Sequence, residues 1–280
     1  EFGEFMNARP AGAAGSGRRV TVNGVGLAVD VRGEGPAILF VHGYPLDRSV
    51  WEPQVAALDG WLRIAPDLRG MGQSDAPDLG YAMATYAEDL VALLDALGVE
   101  RAVLCGLSMG GYVAFELLRR WRDRVRGLIL VDTRAEADGA EGRRAREAAA
   151  QQARDHGAGA IADSMLPTMF APGAGERRPA LVARVRAIMA ATPVAGIVGA
   201  LAAMRDRVDS TPLLPTLAGL PTLVVVGAED QLTPPACARA MAHRIPGARL
   251  VVVPEAGHLA PIEAAEATTR AIREFLGGLV

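Results

Sequence analysis

The chain has 280 residues and a formal net charge of -3, with 29 basic side chains against 32 acidic ones, a balance that excludes nucleic-acid binding through a basic surplus on one face. All 29 basic residues are arginine, so amine Schiff bases, a Ser–Lys dyad and a Walker-type phosphate loop are excluded by inventory. Half of the residues are hydrophobic, yet no run reaches the roughly 20 apolar residues that span a bilayer, and two cysteines, Cys105 and Cys237, give neither a disulfide framework nor metal-ligand spacing. The expectation is a cytoplasmic monomer or homodimer with no membrane or nucleic-acid partner, no metal and no cofactor.

Residues 1–17, with Glu-Phe repeated before Met6 and an Ala/Gly-rich run after it, read as a cloning remnant and a disordered lead. Val20 to Val31 alternates loosely around Asn23-Gly24, the signature of a hairpin at a sheet edge. Ala37 to Val41 is an unbroken apolar run, as expected for a strand covered on both faces, and it ends in His42-Gly43-Tyr44-Pro45. A strand over Trp61 to Pro66 leads into a Gly-rich loop, Asp67 to Asp75, and a helix is predicted over Tyr86 to Leu97.

Val99 to Cys105 reads as a buried strand, Gly106-Leu107-Ser108-Met109-Gly110-Gly111 follows, and Tyr112 to Leu118 has helical spacing. Gly127 to Val131 is the next strand, with Asp132-Thr133-Arg134 at its C-terminal end. From Arg134 to Thr211 no strand pattern occurs, and helical Ala/Arg/Met segments are broken at Pro167, Pro172, Pro179 and Pro193. Alternation resumes with a strand over Thr222 to Val226, a helix over Pro235 to Arg244, a strand over Arg249 to Val253 and a helix over Ile262 to Leu276. This order predicts an α/β fold with a mainly parallel sheet and helices on both faces, its core formed by residues 18–133 and 212–280 and a helical cap by residues 134–211.

Ser108 falls on a strand-to-helix turn, where flanking glycines permit strained backbone and close packing. An ester-cleaving serine needs a base and a carboxylate that orients the base. His258 follows the last strand and Asp230 the strand before it, giving the chain order Ser108, Asp230, His258. Blander readings remain open: Asp230 as a helix cap with Glu229 or Asp132 as the acid, His42 bonding loop backbone, His156 and His243 solvated. Arg143, Arg144, Arg146, Arg177 and Arg178 are expected on an exposed cap face.

From about Val20 to Leu276 the chain resembles the α/β-hydrolase fold family: His42 to Pro45 is similar to its oxyanion loop, Asp67-Leu68-Arg69-Gly70 to a characteristic turn, and Gly106 to Gly110 to its nucleophile elbow. The resemblance implies an eight-stranded-type sheet with a helical cap, Ser108 as nucleophile, Asp230 as acid and His258 as base. The backbone N–H groups of Tyr44 and Met109 would form an oxyanion hole. Val131 to Ala137 resembles the matching segment of small carboxylesterases and 3-oxoadipate enol-lactonase-like hydrolases. The implied activity is cleavage of uncharged short- to medium-chain esters, a small-molecule substrate, in a pocket lined by Tyr44, Met165, Met169, Phe170, Met204 and Leu232. Enol-lactonase, carbon–carbon hydrolase, perhydrolase and a non-catalytic receptor on the same scaffold stand as alternatives.

Overall fold

A computed structural model describes residues 17–279, so all but the last position of the lead expected over residues 1–17 lies outside the described residues. Strand β1 (Arg18–Val22) turns into β2 (Val25–Arg32) through Asn23 and Gly24, whose φ values of 46° and 79° make the left-handed two-residue turn that Asn-Gly favours. Then follow β3 (Ala37–Val41), α1 (Glu52–Ala57), β4 (Leu62–Pro66), α2 (Met83–Ala96), β5 (Ala102–Leu107), α3 (Met109–Arg120) and β6 (Val125–Val131). The next four helices are α4 (Ala140–Met169), α5 (Ala174–Arg177), α6 (Pro179–Ala190) and α7 (Val194–Arg205). The chain closes with β7 (Thr222–Gly227), α8 (Pro235–Arg244), β8 (Arg249–Val253), α9 (Ala260–Glu263) and α10 (Ala265–Gly277).

The strands form one eight-stranded sheet in the order β1-β2-β4-β3-β5-β6-β7-β8. β2 runs antiparallel to β1 and β4, and the remaining pairs are parallel. Every residue of β3, β5 and β7 is buried, which is what an unbroken apolar run requires. Their side chains point alternately to two apolar clusters: Leu39, Leu104 and Val224 meet α2, α3 and α8, while Ile38, Val103 and Val225 meet α1, α9 and α10. The helices between β6 and β7 are shared between these clusters. The first arm of α4 and α7 belong to the former; the end of α4, with Met169 and Phe170, and α6 belong to the latter.

Three local expectations shift. β5 starts at Ala102 rather than Val99, because the Val99 N–H closes the end of α2 on the Leu94 carbonyl at 2.8 Å. The last predicted helix is two, since Ala264 at φ -128°, ψ 57° interrupts it. Pro167 ends no helix: it lies inside the last turns of α4, whose break is instead at Gly157, at φ 78°. At one point α7 meets the loop after β4 backbone to backbone, since a Cβ at Gly196 would lie 1.8 Å from the Gly70 carbonyl oxygen. No single helix among the described residues is long and apolar enough to cross a membrane.

Candidate active site

The C-terminal ends of the parallel strands gather the chemistry. At the end of β5, Ser108 takes φ 52°, ψ -114°, a conformation that costs a non-glycine residue roughly 1–3 kcal/mol. The surroundings impose it. The Ser108 N–H donates to the Val131 carbonyl at 2.9 Å, and its own carbonyl accepts from the Gly111 N–H at 2.9 Å and the Thr133 hydroxyl at 2.7 Å. Side chains are excluded around it: a Cβ at Gly106 would sit 2.5 Å from the Gly110 carbonyl oxygen, and one at Gly110 would sit 2.2 Å from the Val41 carbonyl oxygen. The hydroxyl is left half-buried above the N-terminus of α3.

His258 Nε2 lies 2.8 Å from Ser108 Oγ, and His258 Nδ1 lies 2.9 Å from Asp230 Oδ2 and 3.1 Å from Oδ1. Burial alone would raise the Asp230 carboxyl, but its bonds to His258 and Thr233 outweigh that and hold it below its ordinary value. The Thr233 bonds come from its hydroxyl at 2.7 Å and its N–H at 3.0 Å, and the Leu232 N–H also donates to Asp230 at 2.8 Å. An ionised Asp230 can only accept, so Nδ1 carries the imidazole proton and Nε2 presents its lone pair to the serine hydroxyl. The arrangement can take a proton from Ser108. Of the other carboxylates considered, Glu229 is exposed, and Asp132 is buried but directed elsewhere.

The loop after β3 is fixed by polar contacts. His42 is fully buried; Nδ1 donates to the Gly43 carbonyl at 2.8 Å and Nε2 accepts the Leu68 N–H at 2.9 Å. Burial lowers its pKa and outweighs the raising effect of Asp67, so the ring is neutral and bonds loop backbone. Asp67 accepts the Arg48 N–H at 2.7 Å, the Gln73 N–H at 2.8 Å and the Arg48 guanidinium. Tyr44 follows Gly43 on this loop, and Met109 opens α3, where a first-turn N–H has no intrahelical acceptor. The N–H groups of Tyr44 and Met109 take no hydrogen bond among the described residues.

Two buried carboxyls hold the His258 loop. Asp132 accepts the Gly227 N–H at 2.8 Å and the Ala260 N–H at 3.1 Å; burial, then the Asp230 charge, push it up to about 7 against His258 and those two donors. Glu263 accepts the Gly257 N–H at 2.7 Å and the Ala171 N–H at 2.8 Å. Glu263 falls inside the helix predicted over Ile262 to Leu276 and no motif singles it out; its one signal is an acid directly after Ala260, Pro261 and Ile262, five residues past His258.

The expected lining residues do not form one wall. Tyr44 and Met204 are buried in one apolar cluster, Met169 and Phe170 in the other, Met165 packs against both, and Leu232 is 36% exposed on the Asp230 loop. His156, His243, Arg143, Arg144, Arg177 and Arg178 are exposed. Arg146 departs from the exposed face expected for it. With Arg134 and Arg207 it converges on buried Asp138, at 3.1, 3.2 and 2.9 Å respectively. An acid at the first turn of the insertion collects arginines from three chain segments, which sequence spacing cannot register. Cys105 and Cys237 are both free, and no group of three or more His, Cys, Asp or Glu side chains able to hold a metal occurs among the described residues.

Residues 36–265 match the family described as alpha/beta hydrolase fold. A thermophilic esterase from Thermogutta terrifontis, solved with malate bound, is 41% identical, superposes with a TM-score of 0.90, and the match covers 94% of this chain and 99% of that one. An enol-lactonase structure from Burkholderia xenovorans is 34% identical with a TM-score of 0.86, covering 93% and 100%. The 3-oxoadipate enol-lactonase 2 of Acinetobacter baylyi is 30% identical over 242 residues, 86% of this chain and 88% of the relative.

Proposed function

Because the chain belongs to the α/β-hydrolase fold family, we propose that it is a serine hydrolase that cleaves carboxylic esters through an acyl-enzyme. One observation carries this reading: the unbroken hydrogen-bonded line from Asp230 through His258 to a strained, half-buried Ser108. In the first step Ser108 Oγ attacks the ester carbonyl carbon as His258 Nε2 takes the hydroxyl proton, and Asp230 stabilises the resulting imidazolium. The carbonyl oxygen gains negative charge in the tetrahedral intermediate, within reach of the Tyr44 and Met109 N–H groups; each such donor contributes typically about 3 kcal/mol. His258 then returns the proton to the leaving alcohol. Water repeats the sequence on the acyl-enzyme, releasing the acid and restoring Ser108.

The substrate class proposed first is uncharged short- to medium-chain esters. Tyr44, Met165 and Met204 share one apolar cluster, and acyl carbons buried against side chains of this kind would contribute about 0.8 kcal/mol per methylene. The esterase likeness supports it. A second reading has its own observation: three guanidinium groups share the single Asp138 carboxylate, an excess of positive charge that suits a carboxylate-bearing substrate, as an enol-lactonase would take. Measuring kcat/KM on C2 to C6 aryl esters beside a dicarboxylate lactone decides between them. The ester reading expects the highest values for the uncharged series; a lactone preference of about tenfold or more replaces it with the second.

A further inference from the structure

We propose that Glu263 is a positioning residue for His258, holding the base in register through a hydrogen-bonded bracket to the end of the cap; the inference rests on the serine-hydrolase reading above. Glu263 is 4% exposed, and its two carboxyl oxygens serve different segments. Oε2 accepts the Gly257 N–H, immediately before the base, at 2.7 Å, and Oε1 accepts the Ala171 N–H, just past the end of α4, at 2.8 Å. The His258 N–H closes the bracket by donating to the Met169 carbonyl at 3.1 Å.

Two peptides of the His258 loop are thus referenced to two peptides at the end of α4, and the packing leaves no slack. A Cβ at Gly257 would lie 2.4 Å from both the Ala171 nitrogen and the Phe170 carbonyl carbon. Asp132 holds the far side of the same loop at Ala260, but its other bond goes to Gly227 in the sheet, so it cannot report where the cap sits. The groups facing the imidazole are Ser108, Asp230 and Thr233, with Asp132 behind them; Glu263 makes no hydrogen bond to the ring and acts only through the backbone. Releasing the bracket displaces Nε2 from Ser108 and weakens the contact of Nδ1 with Asp230. A misplacement of about 1 Å at a reacting group costs about a hundredfold in rate.

The test compares wild type with Glu263→Gln and Glu263→Ala. Gln keeps one acceptor oxygen and turns an NH2 group toward the other N–H, so one arm of the bracket is lost. A fluorophosphonate probe with peptide mass spectrometry counts Ser108 sites, and kcat per labelled site, KM and the pH profile are read on p-nitrophenyl acetate, with the thermal midpoint alongside. The expected result is kcat per site reduced about tenfold in Gln and up to about a hundredfold in Ala. KM should stay within about threefold, and the acid limb should move to lower pH because the imidazolium loses support from Asp230. Variants with wild-type kcat per site and an unmoved acid limb, whatever their thermal midpoint, overturn the inference. Should Ala fail to fold, Gln alone carries the test. A wild type that turns over ester without label at Ser108 overturns the serine-hydrolase reading and this inference together, whereas labelled wild type with silent variants overturns this inference alone.

Discussion

Asp132 and Glu263 each accept two peptide N–H groups around His258, but Asp132 joins the loop to the sheet and Glu263 joins it to the cap. The sheet side is over-determined: Asp132 lies next to Val131, which is in register with Val225, and the Asp132 N–H itself donates to the Val225 carbonyl at 2.9 Å. The other side depends on the helices between β6 and β7, which pack into both apolar clusters and are also tied by the Asp138 cluster and by the Ser210 N–H donating to the Ala135 carbonyl at 2.9 Å. The distance from base to acid is therefore internal to the core, whereas the seat of the base over Ser108 is shared between core and cap.

The largest expected effect sets the reference for that comparison. Ser108→Ala removes the proposed nucleophile and touches neither carboxyl, so it should cost about a millionfold in kcat with the fold intact. Retention of more than about a percent of the wild-type rate on an activated ester, with contamination excluded, would show that Ser108 is not the nucleophile.

Next in size is the ranking of the two core carboxyls. Asp230→Asn should lower kcat about ten-thousandfold at neutral pH because the amide favours the wrong imidazole tautomer. Asp132→Asn keeps the Asp230–His258 contact and should cost far less. Steady-state kinetics of both variants give the answer; the reverse order would make Asp132 the acid.

The smallest effect concerns stability against pH. The carboxyl of Asp132 titrates at about 7 in the folded protein against an ordinary value of 3.8, so between about pH 4 and 7 the folded state holds a proton that the unfolded chain has released. Stability from this group is present below about pH 4 and is lost as pH rises toward 7. Asp230, held below its ordinary value, acts in the opposite sense and only at lower pH, where its contribution is lost as pH falls. Denaturant midpoints measured from pH 4 to 8 should decline less in Asp132→Asn than in wild type. Equal slopes would remove the electrostatic difference between the core tether and the cap tether.

Much of the core was readable because the central strands β3, β5 and β7 are largely apolar and buried throughout, and because candidate site residues follow strand ends: Ser108 after β5, Asp230 after β7, His258 after β8. Asn23-Gly24 announced the hairpin through its two left-handed residues. The hidden parts arise from contacts between segments distant in the chain. Glu263 meets Ala171 and Arg207 meets Asp138 only through tertiary contact, and neither pairing leaves a period or a motif. Met169 and Phe170 illustrate the same limit, since helical spacing places them on a face but does not say which of two clusters that face will join.

The contact between Gly70 and Gly196 bears on how the cap helices respond to ionic strength. Arg134 and Arg146 keep 33% and 24% of their side chains in solvent, so their attraction to Asp138 is partly screened by added salt, whose Debye length is about 8 Å at 0.15 M. The glycine contact contains no charge and no rotamer, only peptide surfaces too close to admit a Cβ, and electrolyte leaves it as it is. Raising salt thus weakens the ion pairs at Asp138, while the glycine contact and the apolar packing of these helices into both clusters stay as they are.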